Sequence, residues 1–155
     1  MTLFDELLRR RDEQRRARTR VVIKGRELPW EVNRHGTMRW YLHPQIEDTA
    51  HQSCLIYEQR LDGGGRSGRQ LHQGGAVVFF LDGQGHTVID GETYEWVRGD
   101  VLQLPTREEG VVFQHFNDDP DAPARLLFVE ANLVEALGVD RGSGFEQLMD
   151  APEYR

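Results

Sequence analysis

A succession of short apolar runs joined by tight turns, between residues 76 and 105, most constrains what this chain can fold into. Asp82-Gly83 separates AVVFFL from the HTVI run, and Asp90-Gly91 separates HTVI from TYEWV. Asp-Gly between apolar runs is a strong β-hairpin signal, because glycine tolerates the positive φ that such turns need. The spacing therefore predicts successive antiparallel hairpins.

Further runs rich in β-branched and aromatic residues lie on both sides of these hairpins. They are VVIK at 21–24, TMRWYL at 37–42, CLIYEQRL at 54–61, VLQLP at 101–105, VVFQHF at 111–116 and ARLLFVEANL at 124–133. Many short strands at regular spacing are typical of a β-sandwich or barrel. Because 155 residues leave room for one domain and no repeat is visible, we predict a single β domain.

The two ends of the chain differ from this pattern. Residues 2–18 predict a helix with a short apolar stripe at helical spacing, made of Leu3, Phe4, Leu7 and Leu8. LVEALG at 133–138 predicts a short helix, and the polar residues after it predict a surface tail. We therefore divide the chain into a basic N-terminal helix (1–19), a β-barrel (20–133) and a C-terminal helix with a tail (134–155).

Charge and cysteine content limit the partners and the compartment. The net charge is −7, although residues 1–24 hold eight Arg or Lys against four Asp or Glu. An acidic body does not favour nucleic-acid binding, and no apolar stretch is long enough for a signal peptide or a membrane span. With Cys54 as the single cysteine, no internal disulfide can form, so we expect a cytoplasmic protein.

The segment between Gly64 and Gly83 has a regular internal spacing. QLH at 70–72 follows Gly64 after five residues, Ala76 follows after three more, and Gly83 comes after another six. A second pattern lies further along the chain, where five residues separate Gly99 from Pro105 and three separate Phe113 from Asn117.

Together these patterns resemble the two motifs of the cupin superfamily, and more narrowly those of small single-domain cupins similar to gentisate-dioxygenase-like barrels. The resemblance covers residues from about 60 to 130. It implies an all-β fold, the cupin double-stranded β-helix or jelly-roll barrel, here with an N-terminal helix and a short C-terminal helical segment. Cupins hold a metal ion with His-x-His and Glu from the first motif and a third His from the second.

Three of the four metal-ligand positions that the resemblance implies are changed. Gln70 offers an amide oxygen, Ala76 offers nothing, and the ring of Phe113 would fill the space, so that His72 alone is kept. His115 has the strand parity of Phe113 and should also point inward, as a second histidine often does in gentisate-dioxygenase-like cupins. We expect no tightly bound cofactor; any metal would be divalent Fe, Mn, Ni or Zn held by His72, His115 and Gln70.

Aromatic and basic side chains around these positions predict a ligand site, although core packing and surface charge also explain them. Arg66 and Arg69 could grip a ligand carboxylate. Inward strand parity predicts that the barrel is lined by Trp40, Tyr41, Tyr57, Phe79, Phe113 and Phe116. The predicted ligand-binding residues are Gln70, His72, Phe113, His115, Arg66, Arg69 and Phe79. No catalytic residue is assigned, and His35 and His43 are placed in loops.

Three functions stay open at this stage. The first is a ligand-binding or regulatory cupin without a tightly held metal, which takes a small organic molecule such as an aromatic acid. The second is a metal-dependent enzyme, dioxygenase-like or related, with a rearranged set of ligands. The third is a structural partner that the basic helix docks to another protein. We also expect a homodimer or a higher oligomer, because cupins commonly bury exposed strand edges against a second subunit.

Overall fold

The computed structural model describes residues 1–16, 20–46, 48–50, 53–73, 75–132 and 145–155. Within these ranges the chain forms one α-helix, a short 3-10 helix at Gly25–Glu27 and eleven β-strands. The helix is α1 (Leu3–Arg16), and the strands are β1 (Glu31–Asn33), β2 (Gly36–Leu42), β3 (Cys54–Leu61), β4 (Arg69–His72), β5 (Ala76–Asp82), β6 (Gln84–Ile89), β7 (Glu92–Val97), β8 (Val101–Leu104), β9 (Val111–Asn117), β10 (Ala124–Ala131) and β11 (Phe145–Met149).

The strands form two antiparallel sheets, which confirms the predicted all-β jelly-roll architecture. One sheet has six strands in the order β1-β2-β3-β10-β5-β8, and the other has five in the order β11-β4-β9-β6-β7. The predicted hairpin at Asp82-Gly83 is wrong, because this turn joins β5 to β6 and these strands belong to different sheets. The predicted hairpin turn between β6 and β7 is present, with Asp90 at φ 49° and Gly91 at φ 89°. Positive φ at both positions is the geometry of a type I′ turn.

The core lies between the sheets and is filled by alternate residues of the facing strands. Phe80 of β5, Phe113 of β9 and Phe128 of β10 are fully buried or nearly so. The ring of Phe80 stacks on Trp96 with centroids 4.0 Å apart, while that of Phe128 stacks on Tyr57 at 4.9 Å. Each such side chain contributes about 1.5–3 kcal/mol by leaving water.

An ion cluster lies on the outer side of the six-stranded sheet. The carboxylate of Glu58 accepts hydrogen bonds from Arg39 at 2.8 Å and from Arg125 at 2.7 Å, and its side chain is completely buried. Burial alone would raise the pKa of Glu58, but the hydrogen bonds and charges of the two arginines outweigh it and lower that pKa. Arg39 also donates to the carbonyl oxygen of Gly25, which ties the segment before β1 to the sheet.

Several predicted elements differ from the structure. VVIK at 21–24 is not a strand, because Val21 and Val22 are largely exposed and pair with no strand among the described residues. The tail predicted near the C-terminus instead contributes β11, which pairs with β4. Strands β1 and β4 were not predicted either. The helix predicted at 133–138 lies outside the described residues.

Helix α1 begins with a reciprocal cap. The amide of Thr2 donates to the Asp5 carboxylate at 2.8 Å, and the Asp5 amide donates to the Thr2 hydroxyl at 3.2 Å. The apolar stripe of the helix is not covered by the barrel, since Leu3 is 91% exposed and Phe4 66%. No helix among the described residues has the length and apolar character to cross a membrane.

Candidate functional site

A pocket of about 500 Å³ lies between the two sheets. This volume is in the range of small-molecule sites. The lining residues range from the exposed Gln45 at the surface to the buried Phe128 in the core. The lining residues are Asn33, Arg34, His35, Met38, Trp40, His43, Pro44, Gln45, Leu55, Tyr57, Gln70, His72, Phe128, Glu130, Phe145 and Gln147.

A buried pair of His72 and Glu130 forms part of the pocket wall. His72 is the last residue of β4 and Glu130 lies near the end of β10, each on the inward side of its strand. Nε2 of His72 and a carboxylate oxygen of Glu130 are hydrogen-bonded, and the two side chains are only 5% and 8% exposed. Burial makes the loss of either partner costly, because a lone polar group would remain without compensation.

The position of Glu130 explains how a carboxylate reaches His72. In the pairing of β10 with β5, Glu130 lies directly across from Ala76. Side chains at opposed positions lie about 4.5–5.5 Å apart at Cβ, and the small Ala76 leaves room for the longer one. The carboxylate absent from position 76 is therefore supplied by the neighbouring strand.

Phe113 occupies the centre of this region. It is fully buried, and its ring centroid lies 5.2 Å from that of His115, 6.1 Å from His35 and 6.2 Å from His72. The expectation that Phe113 fills the space between motif residues agrees with these contacts. Neither Phe113 nor His115 lines the pocket, because both rings lie behind its wall.

The two further histidines of this cluster are buried and uncharged. Nδ1 of His115 is hydrogen-bonded to the Thr87 hydroxyl at 2.7 Å, while its Nε2 and both ring nitrogens of His35 have no hydrogen-bond partner among the described residues. Burial, reinforced by the neighbouring His72, lowers the pKa of His35 to about 3. Burial and the nearby His35 lower the pKa of His115 to about 3 as well.

Gln70 lines the pocket on the five-stranded sheet. It lies beside Phe113 in the pairing of β4 with β9, and its Nε2 donates to Oε1 of Gln147 at 2.9 Å. Gln147 belongs to β11 and also lines the pocket. The C-terminal strand thus completes one wall of the site.

Other predicted ligand residues lie away from the pocket. Arg66 is exposed and pairs with Phe116 in an isolated bridge, and Arg69 is half-buried without lining the pocket. Phe79 is 39% exposed on the outer face, so its predicted position inside the barrel is wrong; its neighbours Val78 and Phe80 show that the parity of β5 is opposite to the one assumed. Tyr41 and Phe116 also face outward, against the prediction: the Tyr41 hydroxyl donates to Glu58, and the Phe116 ring stacks on His86 with centroids 4.7 Å apart.

Among the lining residues that sequence reasoning missed, two are buried polar side chains, His35 and Glu130. His35 lies in the turn between β1 and β2 and is 6% exposed, although a polar loop was expected there. Glu130 follows Val129 in β10. This strand was predicted, but the Glu130 carboxylate was given no role. The alternation LLFVE, in which Leu126, Phe128 and Glu130 share one face, was the available signal for Glu130.

The described residues do not fit the metal site that the motifs imply. Nε2 of His72 is hydrogen-bonded to Glu130, and Nε2 of Gln70 donates a hydrogen bond to Gln147. Phe113 fills the third histidine position. In the part of the chain that the structure describes, no three His, Cys, Asp or Glu side chains are grouped closely enough to hold an ion.

Comparisons with known proteins agree with this architecture. Residues 57–130 match the family model described as the cupin domain. No curated protein sequence matches the chain. The gentisate-dioxygenase-like detail of the predicted resemblance is not confirmed.

Solved structures with a similar fold include enzymes and proteins without a stated activity. The polyketide cyclase RemF from Streptomyces resistomycificus is 18% identical, with a TM-score of 0.60 over 73% of this chain and 80% of its own. A predicted oxalate decarboxylase from Thermotoga maritima is 19% identical, with a TM-score of 0.56 over 70% and 96%. An RmlC-like cupin from Shewanella frigidimarina is 12% identical, with a TM-score of 0.57 over 74% and 93%. At these identities the likeness concerns the fold alone.

Proposed function

This chain is a small protein with a cupin domain, and we propose that it binds a small organic, aromatic molecule inside the barrel without a tightly held metal. The observation that carries the proposal is the pocket of about 500 Å³, with the buried His72–Glu130 pair in its wall. A cupin barrel hosts many activities, so the function is argued from this site and not from the fold.

The walls of the pocket suit a flat apolar ligand. Trp40 and Tyr57 stand edge to face with centroids 5.1 Å apart, and Phe128 stacks on Tyr57. Aromatic rings favour offset or edge-on contacts with another ring. A few polar groups among apolar walls are typical of ligand sites, where they orient the bound molecule.

Tryptophan fluorescence tests the proposal. Trp40 lines the pocket, whereas Trp30 lies on the outer side under the guanidinium of Arg39. A panel of small aromatic acids, phenols and amides should contain a compound that changes the emission of the wild-type protein. The change should disappear in Trp40→Phe and persist in Trp30→Phe. A panel without any binder, or a response lost only in Trp30→Phe, would contradict the proposal.

A metal-dependent enzyme is the second candidate. The observation that favours it is Nε2 of His115, which is buried and has no hydrogen-bond partner among the described residues. One transition metal per chain in protein purified without added metal would support this candidate and contradict the first.

The compartment and the assembly are part of the same proposal. Cys54 is a free thiol, which suits a reducing cytoplasm. We propose a homodimer or higher oligomer, because apolar side chains are exposed both on α1 and on the outer face of the six-stranded sheet. We propose neither a nucleic acid nor a membrane as a partner.

A further inference from the structure

The charge of the pocket wall narrows the ligand class. Glu130 is the one acidic residue among the described residues that line the pocket, and its partner is His72. A neutral His72 and an ionised Glu130 together carry a net charge of −1. If the pair holds one more proton, its net charge is zero. In neither state does the pair offer a ligand an excess of positive charge.

The one permanently charged cation among the described lining residues lies at the exposed side of the pocket. Arg34 is the one Arg or Lys among the described lining residues. Its Nε donates to Asp150 at 2.9 Å, and its side chain is 60% exposed. The charge of Arg34 is therefore paired and solvated at the surface, and a ligand in the buried part of the pocket does not meet it.

The remaining buried polar groups are uncharged. His35 lines the pocket as a neutral imidazole, because burial lowers its pKa to about 3. Tyr57 also lines the pocket, and burial together with the Glu130 carboxylate raises the pKa of its hydroxyl well above the usual value. Tyr57 therefore keeps its proton and can donate a hydrogen bond, while a neutral imidazole has one donor and one acceptor.

We infer that this pocket takes uncharged aromatic molecules that carry a hydroxyl or amide group and rejects the corresponding carboxylates. This inference rests on the proposed binding function and replaces the aromatic acid expected from the sequence. A carboxylate would lose its hydration beside Glu130 without meeting an unpaired cation, which is unfavourable. A ligand hydroxyl group can donate to a carboxylate such as Glu130 and accept from a phenol such as Tyr57, so the ligand's own polar atoms are not left without a partner.

Three probes of similar size test the inference on the full chain by titration calorimetry at neutral pH. 2-Naphthol and 2-naphthamide are uncharged, and 2-naphthoate is the charged counterpart of the amide. We expect both uncharged probes to bind at least about tenfold more tightly than the naphthoate, a ratio that corresponds to about 1.4 kcal/mol. Equal or tighter binding of the naphthoate overturns the inference and leaves the proposed function standing.

Two variants test whether the charge of Glu130 causes the preference for uncharged ligands. Glu130→Gln removes the charge and keeps the shape, so the preference for amide over carboxylate should shrink; Glu92→Gln makes the same change at an exposed position of β7 and should leave the preference unchanged. An undiminished preference in folded Glu130→Gln overturns the role of this carboxylate. If Glu130→Gln does not fold, the wild-type comparison of amide and carboxylate still decides.

Arg34→Gln tests the alternative that the Arg34 guanidinium binds the carboxylate of an acidic ligand. If the naphthoate binds the wild type as well as the amide does and loses affinity in Arg34→Gln, the surface guanidinium holds acids and the inference is wrong. If both uncharged probes bind the wild type more tightly than the naphthoate and Arg34→Gln leaves all three affinities unchanged, the inference is supported. If none of the three probes binds the wild type, the proposed aromatic-binding function itself is contradicted, and the inference falls with it.

Discussion

Glu130 is hydrogen-bonded to His72 from the strand position directly across from Ala76. A carboxylate therefore remains beside the one motif histidine that is kept, although the motif position itself holds alanine. The exchange has a chemical consequence: Nε2 of His72 is satisfied by protein, not left open toward the pocket. The site is a hydrogen-bonded pair beside a cavity.

Removal of either member of this pair should destabilise the protein. His72→Gln and Glu130→Gln should each lower the free energy of unfolding by about 3 kcal/mol, because a buried partner loses its counterpart. The double variant should lose less than the sum of the two, with a coupling energy of about 1–3 kcal/mol. Urea denaturation of the wild type, the two single variants and the double variant measures the free energies of this double-mutant cycle. Additive losses would show that the two side chains do not interact in solution.

Stability should depend on pH through the buried histidines. In the unfolded chain a histidine has a pKa of about 6.5, whereas burial lowers the pKa of His35 and of His115 to about 3. Well above a pH of about 6.5, His35 and His115 are unprotonated in both the folded and the unfolded chain, and their contribution to the free energy of unfolding is fully present. As the pH falls from there toward about 3, these histidines bind protons in the unfolded chain but not in the folded one, so the free energy of unfolding falls. Each histidine should then lower the free energy of unfolding by up to about 1.4 kcal/mol per pH unit.

Variants separate this effect from general acid denaturation. His35→Gln should reduce the slope of stability against pH in that window by about one histidine's share, since Gln does not titrate. His43→Gln, at a half-buried position, should reduce it much less. Chemical denaturation at several pH values gives the slopes, and equal slopes in wild type and His35→Gln would show that His35 is not buried as a neutral group.

The fold was predictable because its signals are local. Asp90-Gly91 joins two alternating runs, and the turn has the positive φ values that this dipeptide predicts. VVIK at 21–24 failed because β-branched composition alone does not supply a partner strand. Strand β11 was missed because residues 145–149 have little alternation, and their place is set by pairing with β4 across the sequence.

The site was predictable only where the motif spacing marks it. Gln70 and His72 line the pocket, while Phe113 lies behind its wall and His115 shares the inward side of β9; their roles toward a ligand stay predictions. Glu130 acts through a cross-strand register with Ala76 that one sequence does not reveal. His35 is buried by long-range packing, because its carbonyl oxygen accepts from Gln59 and Gly68.

The outer face of the six-stranded sheet should form a contact between two copies. Phe79 and Val101 are opposed residues on β5 and β8, and they are 39% and 53% exposed. Exposed apolar clusters commonly mark interaction sites. Sedimentation should show a dimer, and Phe79→Glu should shift it toward a monomer, whereas Tyr94→Glu on the other sheet should not. A wild type that sediments only as a 17.9 kDa species at micromolar concentration would contradict this.

The last prediction concerns a designed metal site. Gln70→His and Phe113→His together would add two imidazoles beside His72, and Glu130 already supplies a carboxylate from the position opposite Ala76. The spacing of β4 and β9 is unchanged, since Gln70 and Phe113 are paired residues. Metal binding should require that His72 exchange its bond to Glu130 for the ion.

Without metal, this double variant should be less stable than the wild type, because truncation of a buried Phe to Ala costs about 3–5 kcal/mol and His is a milder change. A divalent metal that binds only the folded state should restore part of the loss. Melting temperatures with and without Zn, Ni, Mn or Fe measure this. The metal-dependent rise should be confined to the double variant and should diminish when Glu130→Gln is added. An equal rise in the wild type that His72→Ala abolishes would show that the native residues already bind metal.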